Sequence, residues 1–202
     1  MESAKGAVLS LLLDSYQHRD KIGMIAFKGY DADVLLPLCS SVDLALKRLR
    51  ELPTGGKTPL SAGLERALRM LIMERRKDND VIPMLVLISD GRANVPLEAG
   101  GDIKKEIKDI ATLLRENGIH TIVIDTEEVR SSFIKMQLGY CRDIATYSGG
   151  KYYSISELTP EKVHDIVKSE REFLVSLQPI LDSVCDGFKL TTFGKISRSV
   201  DL

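Results

Sequence analysis

Two short loops carry the side chains most able to do chemistry. LPTGGKTPL, residues 52–60, presents the Thr58 hydroxyl and the Lys57 ammonium behind Gly55 and Gly56 and in front of Pro59. SDGRAN, residues 89–94, presents the Asp90 carboxylate with Arg92 and Asn94 beside it. Three chemistries compete for the first loop. Gly-Lys-Thr is how a phosphate-binding loop ends, but that loop needs G-x-x-x-x-G-K-[ST] between a strand and a helix. Here Glu51 stands where the first glycine belongs, the residues before Pro53 read as a helix, and Pro59 has no N–H to offer a phosphate. A phosphate-loop nucleotide-binding enzyme using Lys57 is therefore the weaker alternative. In the second reading Thr58 caps a helix whose first position is Pro59. In the third, Thr58 is a metal ligand raised on a flexible glycine turn. A neutral hydroxyl is a weak ligand alone, and a hard cation such as Mg²⁺ asks for carboxylate and hydroxyl oxygens together. Asp90 is the natural carboxylate, although Asp-Gly is also a common turn.

The elements that must position these loops alternate. Ile22–Phe27 is a continuous apolar run that fits a strand buried on both faces. DVLLPL is a weaker strand in which Pro37 marks an edge or an end, and Asp31 and Asp33 before it read as solvated turn residues. Val42, Ala45, Leu46 and Leu49 give a short helix. Leu60, Leu64, Ala67, Leu68, Leu71 and Ile72 give a strong amphipathic one that fades into a solvated charged run, Glu74 to Asp80. PMLVLIS is the clearest strand and delivers Asp90 at its carboxyl end, where ligands of open α/β sheets gather. A helix follows through Ile103, Ile107, Ile110 and Leu114, with Asp102 as N-cap and Gly118 as stop. Then come the strand IHTIVID, which ends at Asp125, the helix MQLGYCRDIATYSGG, which ends in a double glycine, the strand KYYSI, and a helix capped by Thr159 with Pro160 first. The opening residues are also helical, through Ala4, Ala7, Val8, Leu11 and Leu12. FKLTTF near the end fits an edge strand. The expected fold is α/β, an open and mostly parallel sheet with helices on both faces.

Composition excludes several classes. A chain of 202 residues with a net charge of −1 shows no bulk preference for nucleic acid or an anionic membrane. Its apolar runs are too short to span a bilayer, and its N-terminus lacks the zones of a signal peptide. Cys39, Cys141 and Cys185 are odd in number and far apart, which suits buried thiols in a reducing cytoplasm better than disulfides or zinc. His18, His120 and His164 are scattered, and G-x-S-x-G is absent.

LPTGGKTPLSAGL followed by LVLISDGRANVPL resembles the von Willebrand factor A (integrin I) type domain. The resemblance is narrower still to the domain at the C-terminus of the D subunit of magnesium chelatase and its cobalt-chelatase relatives. AKGAVLSLLLDSYQHRDKIGMIAF and ATYSGGKYYSI share it, so it spans residues 1–168, with 169–202 left as a helix end and tail. The resemblance implies a metal-ion-dependent adhesion site. An aspartate and two serines come from a D-x-S-x-S loop after the first strand, a threonine matches Thr58, and an aspartate matches Asp90. Arg92 and Asn94 would rim that face as partner contacts. It further implies a non-catalytic docking module for the other chelatase subunits, an AAA+ ATPase subunit and a large porphyrin-binding subunit.

The chain departs from that pattern, because D-x-S-x-S is absent and Ser40 and Ser41 are in the wrong place. The family's first, central strand would lie just before Met1, so the domain is expected to be N-terminally truncated. A gap about two strand spacings wide, roughly 9–10 Å, would then separate Ile22–Phe27 from Met84–Ser89. Direct collapse, the FKLTTF tail, or a strand from another copy in a homo-oligomer or strand swap would fill it. Mg²⁺ binding is expected to be weak.

Overall fold

The computed structural model describes residues 20–50, 56–126, 139–154 and 159–187, together with Gly6, Leu9, Leu11 and His18, which are helical. In chain order the elements are β1 (Ile22–Lys28), β2 (Asp31–Cys39), α1 (Val42–Arg50), α2 (Leu60–Lys77), β3 (Met84–Ser89), α3 (Ile103–Glu116), β4 (His120–Asp125), α4 (Cys141–Ser148), β5 (Lys151–Ser154) and α5 (Pro160–Gly187). The chain divides into a compact unit of residues 1–167 and a second unit of 168–202, whose described part is the remainder of α5.

The sheet is built as the apolar runs anticipate. β3, β4 and β5 are parallel, with Val86 opposite Ile122 and Ile124 opposite Tyr153. Every residue of β4 after His120 is buried, as expected of a strand covered on both faces. Strand alternation then splits the core. Leu85, Leu87, Val123 and Tyr152 pack under α2, α3 and α4 against Leu64, Leu68, Ile107, Leu114 and Ile144. Met84, Val86, Ile88, Ile122, Ile124 and Tyr153 pack on the other side with Val163, Ile166 and Val167 of α5 and with Leu11. Each fully buried aliphatic side chain contributes about 1.5–3 kcal/mol, so this two-sided core dominates the energetics.

β1 and β2 form a separate antiparallel pair. Here two expectations need correction. β1 is half-buried rather than buried on both faces, because its one strand neighbour among the described residues is β2. Asp31 and Asp33 are exposed as expected but lie within β2 rather than in a turn; the turn is the Gly29–Tyr30 pair, where Gly29 takes φ +74°. Among the described residues no strand joins β1 to β3, so direct collapse of the two is not seen. FKLTTF lies outside the described residues.

Two helix starts agree with the sequence. Asp102 accepts from the N–H groups of Lys104 and Lys105, and Thr159 Oγ1 accepts from Lys162 N–H at 3.3 Å. Gly118 sits just past α3 with φ +61°, the left-handed stop that glycine adopts without a steric penalty. α4 is shorter than anticipated and begins at Cys141.

In the charged run at the end of α2, Arg75 to Asp80 are exposed as expected, and Glu74 alone reads differently in three dimensions. Glu74 is buried, and its carboxylate is gripped by Lys21 at 2.7 Å and Lys77 at 2.8 Å. It pins the entry to β1 onto α2 and is no solvated helix end. The two lysines hold its carboxyl below the ordinary glutamate range, hydrogen bonding from Lys21 being the largest cause.

Candidate functional site

Thr58 and Asp90 reach the same end of the unit by different routes. Asp90 follows the last residue of β3. Its position is set by close backbone packing: Gly91 takes φ +71°, and a Cβ there would stand 3.0 Å from the Cys141 nitrogen. A Cβ at Gly139 would stand 2.7 Å from the Asp90 carbonyl. Tyr140 N–H donates to the Gly91 carbonyl at 2.8 Å, and Cys141 Sγ donates to the Ser89 carbonyl at 3.6 Å. The segment entering α4 thus clamps the Asp90 loop through two glycines where an added Cβ would be crowded.

Thr58 precedes α2. The helix begins at Leu60, so Pro59 occupies the N-cap rather than the first helical position, and no side chain caps it. The capping role expected for Thr58 is therefore not made, and its hydroxyl is not spent on the helix. Gly56, with φ +108°, lets the loop turn and is exposed; Gly55 lies outside the described residues. The serines weighed against the missing ligand loop are elsewhere: Ser41 Oγ accepts from Leu44 N–H at 3.4 Å at the start of α1.

Asn94 joins the two loops. Thr58 N–H donates to Asn94 Oδ1 at 2.8 Å, and Asn94 N–H donates to the Thr58 carbonyl at 3.2 Å. Asp90 is tied to the same segment, since its Oδ1 accepts from Arg92 N–H at 3.1 Å and its Oδ2 lies 3.6 Å from Arg92 Nε. Arg92 is thus the charge partner of Asp90, and Asn94 is the brace of Thr58. Asp125, at the end of β4, is buried and accepts from the Tyr152 hydroxyl at 2.8 Å. Burial and that hydrogen bond to a carboxylate raise the Tyr152 phenol above its ordinary range. Asp125 is committed to holding β5.

Sequence reasoning missed a second cluster beside Thr58. Gly29 N–H donates to the Lys57 carbonyl at 2.9 Å, which welds the β1–β2 turn to the glycine loop. Lys57 Nζ donates to the Tyr30 hydroxyl at 2.9 Å and lies 4.2 Å from the ring centroid. Nothing in the spacing of residues 30 and 57 announces that pairing.

The donor chemistry around Thr58 and Asp90 suits a hard cation in kind, a hydroxyl and a carboxylate oxygen, but is short in number. Such a cation takes about six oxygen ligands. Among the described residues no group of three or more His, Cys, Asp or Glu side chains is placed to hold a metal.

Comparison with known proteins agrees with this architecture. The family profile of the von Willebrand factor type A domain matches residues 1–92. An uncharacterised protein of Methanocaldococcus jannaschii is 47% identical over 169 residues, which are 84% of this chain and 94% of that protein. The magnesium-chelatase 67 kDa subunit of Chlorobaculum parvum is 37% identical over 81% of this chain but only 27% of the subunit. This chain thus spans about a quarter of that relative's length. The crystal structure of BatB from Bacteroides thetaiotaomicron superposes with a TM-score of 0.61 at 21% identity, covering 87% of this chain and 88% of that one. The SpRpn10 VWA domain gives a TM-score of 0.58 at 18% identity, covering 83% and 82%. Alternating strands and helices, the two linked loops and these matches together place the chain in the von Willebrand factor type A domain family, with sequence similarity to the magnesium-chelatase subunits.

Proposed function

We propose that the chain is a protein-docking module of a magnesium- or cobalt-chelatase type assembly, and that Thr58 and Asp90 contribute to a divalent cation site where a partner subunit docks. The reciprocal hydrogen bonds between Thr58 and Asn94 carry this reading, because they bring a hydroxyl loop and a carboxylate loop into one surface. Mg²⁺ would supply a positive bridging point there. The chain's own residues do the rest. Thr58 offers a neutral oxygen lone pair and Asp90 a negative charge, with Arg92 holding the Asp90 carboxylate and Asn94 holding the Thr58 backbone. The partners implied are the AAA+ ATPase subunit and the large tetrapyrrole-binding subunit. ATP hydrolysis and metal insertion belong to them.

Titration calorimetry with Mg²⁺ tests the site. With so few donors the dissociation constant is expected to be on the order of millimolar, and Asp90→Ala should abolish the heat. Micromolar affinity would contradict this incomplete donor set. A second reading, a metal-free scaffold, is favoured by the Asp90–Arg92 ion pair, which already gives the carboxylate a cationic neighbour. It predicts no Mg²⁺ response in either protein. The nucleotide-binding alternative is disfavoured because the last described element before Gly56 is the helix α1, which runs to Arg50, and not a strand. Lys57 is also engaged by Tyr30. Loss of measurable ATP binding on Lys57→Ala would revive it.

A further inference from the structure

Asp90 already has a cation, and that cation is part of the chain. Its two carboxylate oxygens are held differently. Oδ1 accepts the backbone N–H of Arg92 at 3.1 Å, a tie that belongs to the turn and cancels no charge. Oδ2 lies 3.6 Å from Arg92 Nε, inside the reach of the guanidinium. Among the described residues no second cationic side chain pairs with Asp90. A divalent cation on this carboxylate would therefore meet a like charge beside it. Mg²⁺ tolerates crowding poorly, because it demands near-ideal octahedral geometry at short distances.

The backbone keeps Arg92 in reach. Gly91, just before it, takes φ +71° and packs closely against Cys141 and Gly139. Asn94, two residues after it, is bonded to Thr58 in both directions. A segment fixed on both sides cannot carry the arginine away, so only the side chain is left to move. That side chain is 63% exposed and the Asp90 side chain 44% exposed. Water screens such a pair, and its hold is equivalent to at most about a fivefold change in an equilibrium constant. A contact of that strength can be displaced by a cation that binds at about millimolar concentration, and it still raises the concentration needed.

We propose that Arg92 is a tethered competitor of the divalent cation at Asp90. The guanidinium neutralises the carboxylate while the cation is absent, and swings into solvent when the carboxylate is taken. This rests on the docking reading above and adds regulation to it. Without the cation the face carries a neutral ion pair. With it, the same face presents a positive bridging point and a released arginine together, so docking is tied to a threshold in divalent cation concentration that Arg92 sets.

The test is heteronuclear NMR of the full chain labelled with nitrogen-15, titrated with MgCl₂ at constant ionic strength. The Nε–H signal of Arg92 is assigned by its loss in Arg92→Gln. In the wild type it should move saturably with Mg²⁺, and Asp90→Asn should move it the same way with no Mg²⁺ present. Backbone amides of residues 89–94 report the affinity, which Arg92→Gln should tighten about two- to fivefold. Arg92→Lys keeps the charge and should stay near wild type. The Arg92 side chain is largely exposed, and circular dichroism of each variant checks that the fold persists. Equal affinity in wild type and Arg92→Gln would overturn the competition and leave the cation site standing. So would an Arg92 Nε–H signal that stays still while the loop amides saturate. No Mg²⁺ response in either protein would overturn the cation site, and the competition with it.

Discussion

Thr58 and Asn94 exchange two hydrogen bonds although 36 residues separate them, the Thr58 N–H reaching the Asn94 side chain and the Asn94 N–H reaching the Thr58 carbonyl. One of the two bonds is a side-chain amide accepting from backbone, and the other is backbone to backbone, so the amide can be removed while the second tie remains. Asn94→Ala should cost about 1 kcal/mol of unfolding free energy, the net value of one such bond. It should also weaken any Mg²⁺ response, because Asn94 holds the Thr58 backbone. Urea denaturation and calorimetry on one preparation check both. Unchanged stability would mean that the two loops hold their places without the bond.

The backbone fit around Asp90 makes a sharper test. Gly139→Ala would place a methyl 2.7 Å from the Asp90 carbonyl. Gly91→Ala would set one 3.0 Å from the Cys141 nitrogen, at a φ of +71° that L residues rarely adopt. Each is expected to destabilise the unit by about 1–3 kcal/mol. Gly100 is the control: its φ is also positive at +83°, but nothing lies within 4 Å. Its alanine variant should carry only the backbone penalty and so fall nearer wild type.

Glu74 ties acid sensitivity to a particular contact. Its folded-state pKa lies below the ordinary value. The associated stability is therefore complete above the usual glutamate range and is lost as pH falls through the folded value. Lys21 is shifted the opposite way, upward, chiefly by its hydrogen bond to Glu74. Its share is complete below the ordinary lysine range and is lost as pH rises through the folded value. Glu74→Gln should lower Tm at neutral pH and flatten the acid limb of a plot of Tm against pH, as scanning calorimetry would show. An acid limb identical to wild type would remove Glu74 from the account.

The two tyrosines reported above should titrate on opposite sides of the ordinary phenol range. Lys57 lowers Tyr30 through its hydrogen bond and charge, while burial and the bond to Asp125 raise Tyr152. Lys57→Gln should move the Tyr30 transition up without touching Tyr152. Ultraviolet titration of wild type against Tyr30→Phe assigns the first. A Tyr30 transition indifferent to Lys57 would show that the pairing does not persist in solution.

Asp102→Ala offers a calibration away from the site. Its side chain accepts from two N–H groups of the first turn of α3. The loss should be about 1 kcal/mol, the typical value of an N-cap.

Periodicity alone was enough for the layered α/β plan, because β3 and β4 are continuous apolar runs and α2 and α3 carry their apolar residues at helical spacing. The caps at Asp102 and Thr159 and the stop at Gly118 were equally legible, since a cap depends on a few neighbouring backbone groups. The type and loop position of Thr58 and Asp90 could be read from the chain in the same way. Tertiary structure decided what depends on contacts between distant segments. Pro59 took the N-cap once Thr58 was drawn to Asn94, and Glu74 became buried when Lys21 arrived from the start of β1. Tyr30 met Lys57 because the Gly29 N–H seized the loop carbonyl. Local patterns report the face and the period of an element. Which side chains meet across 27, 36 or 53 residues is set by how the elements pack, and no short window of sequence contains that information.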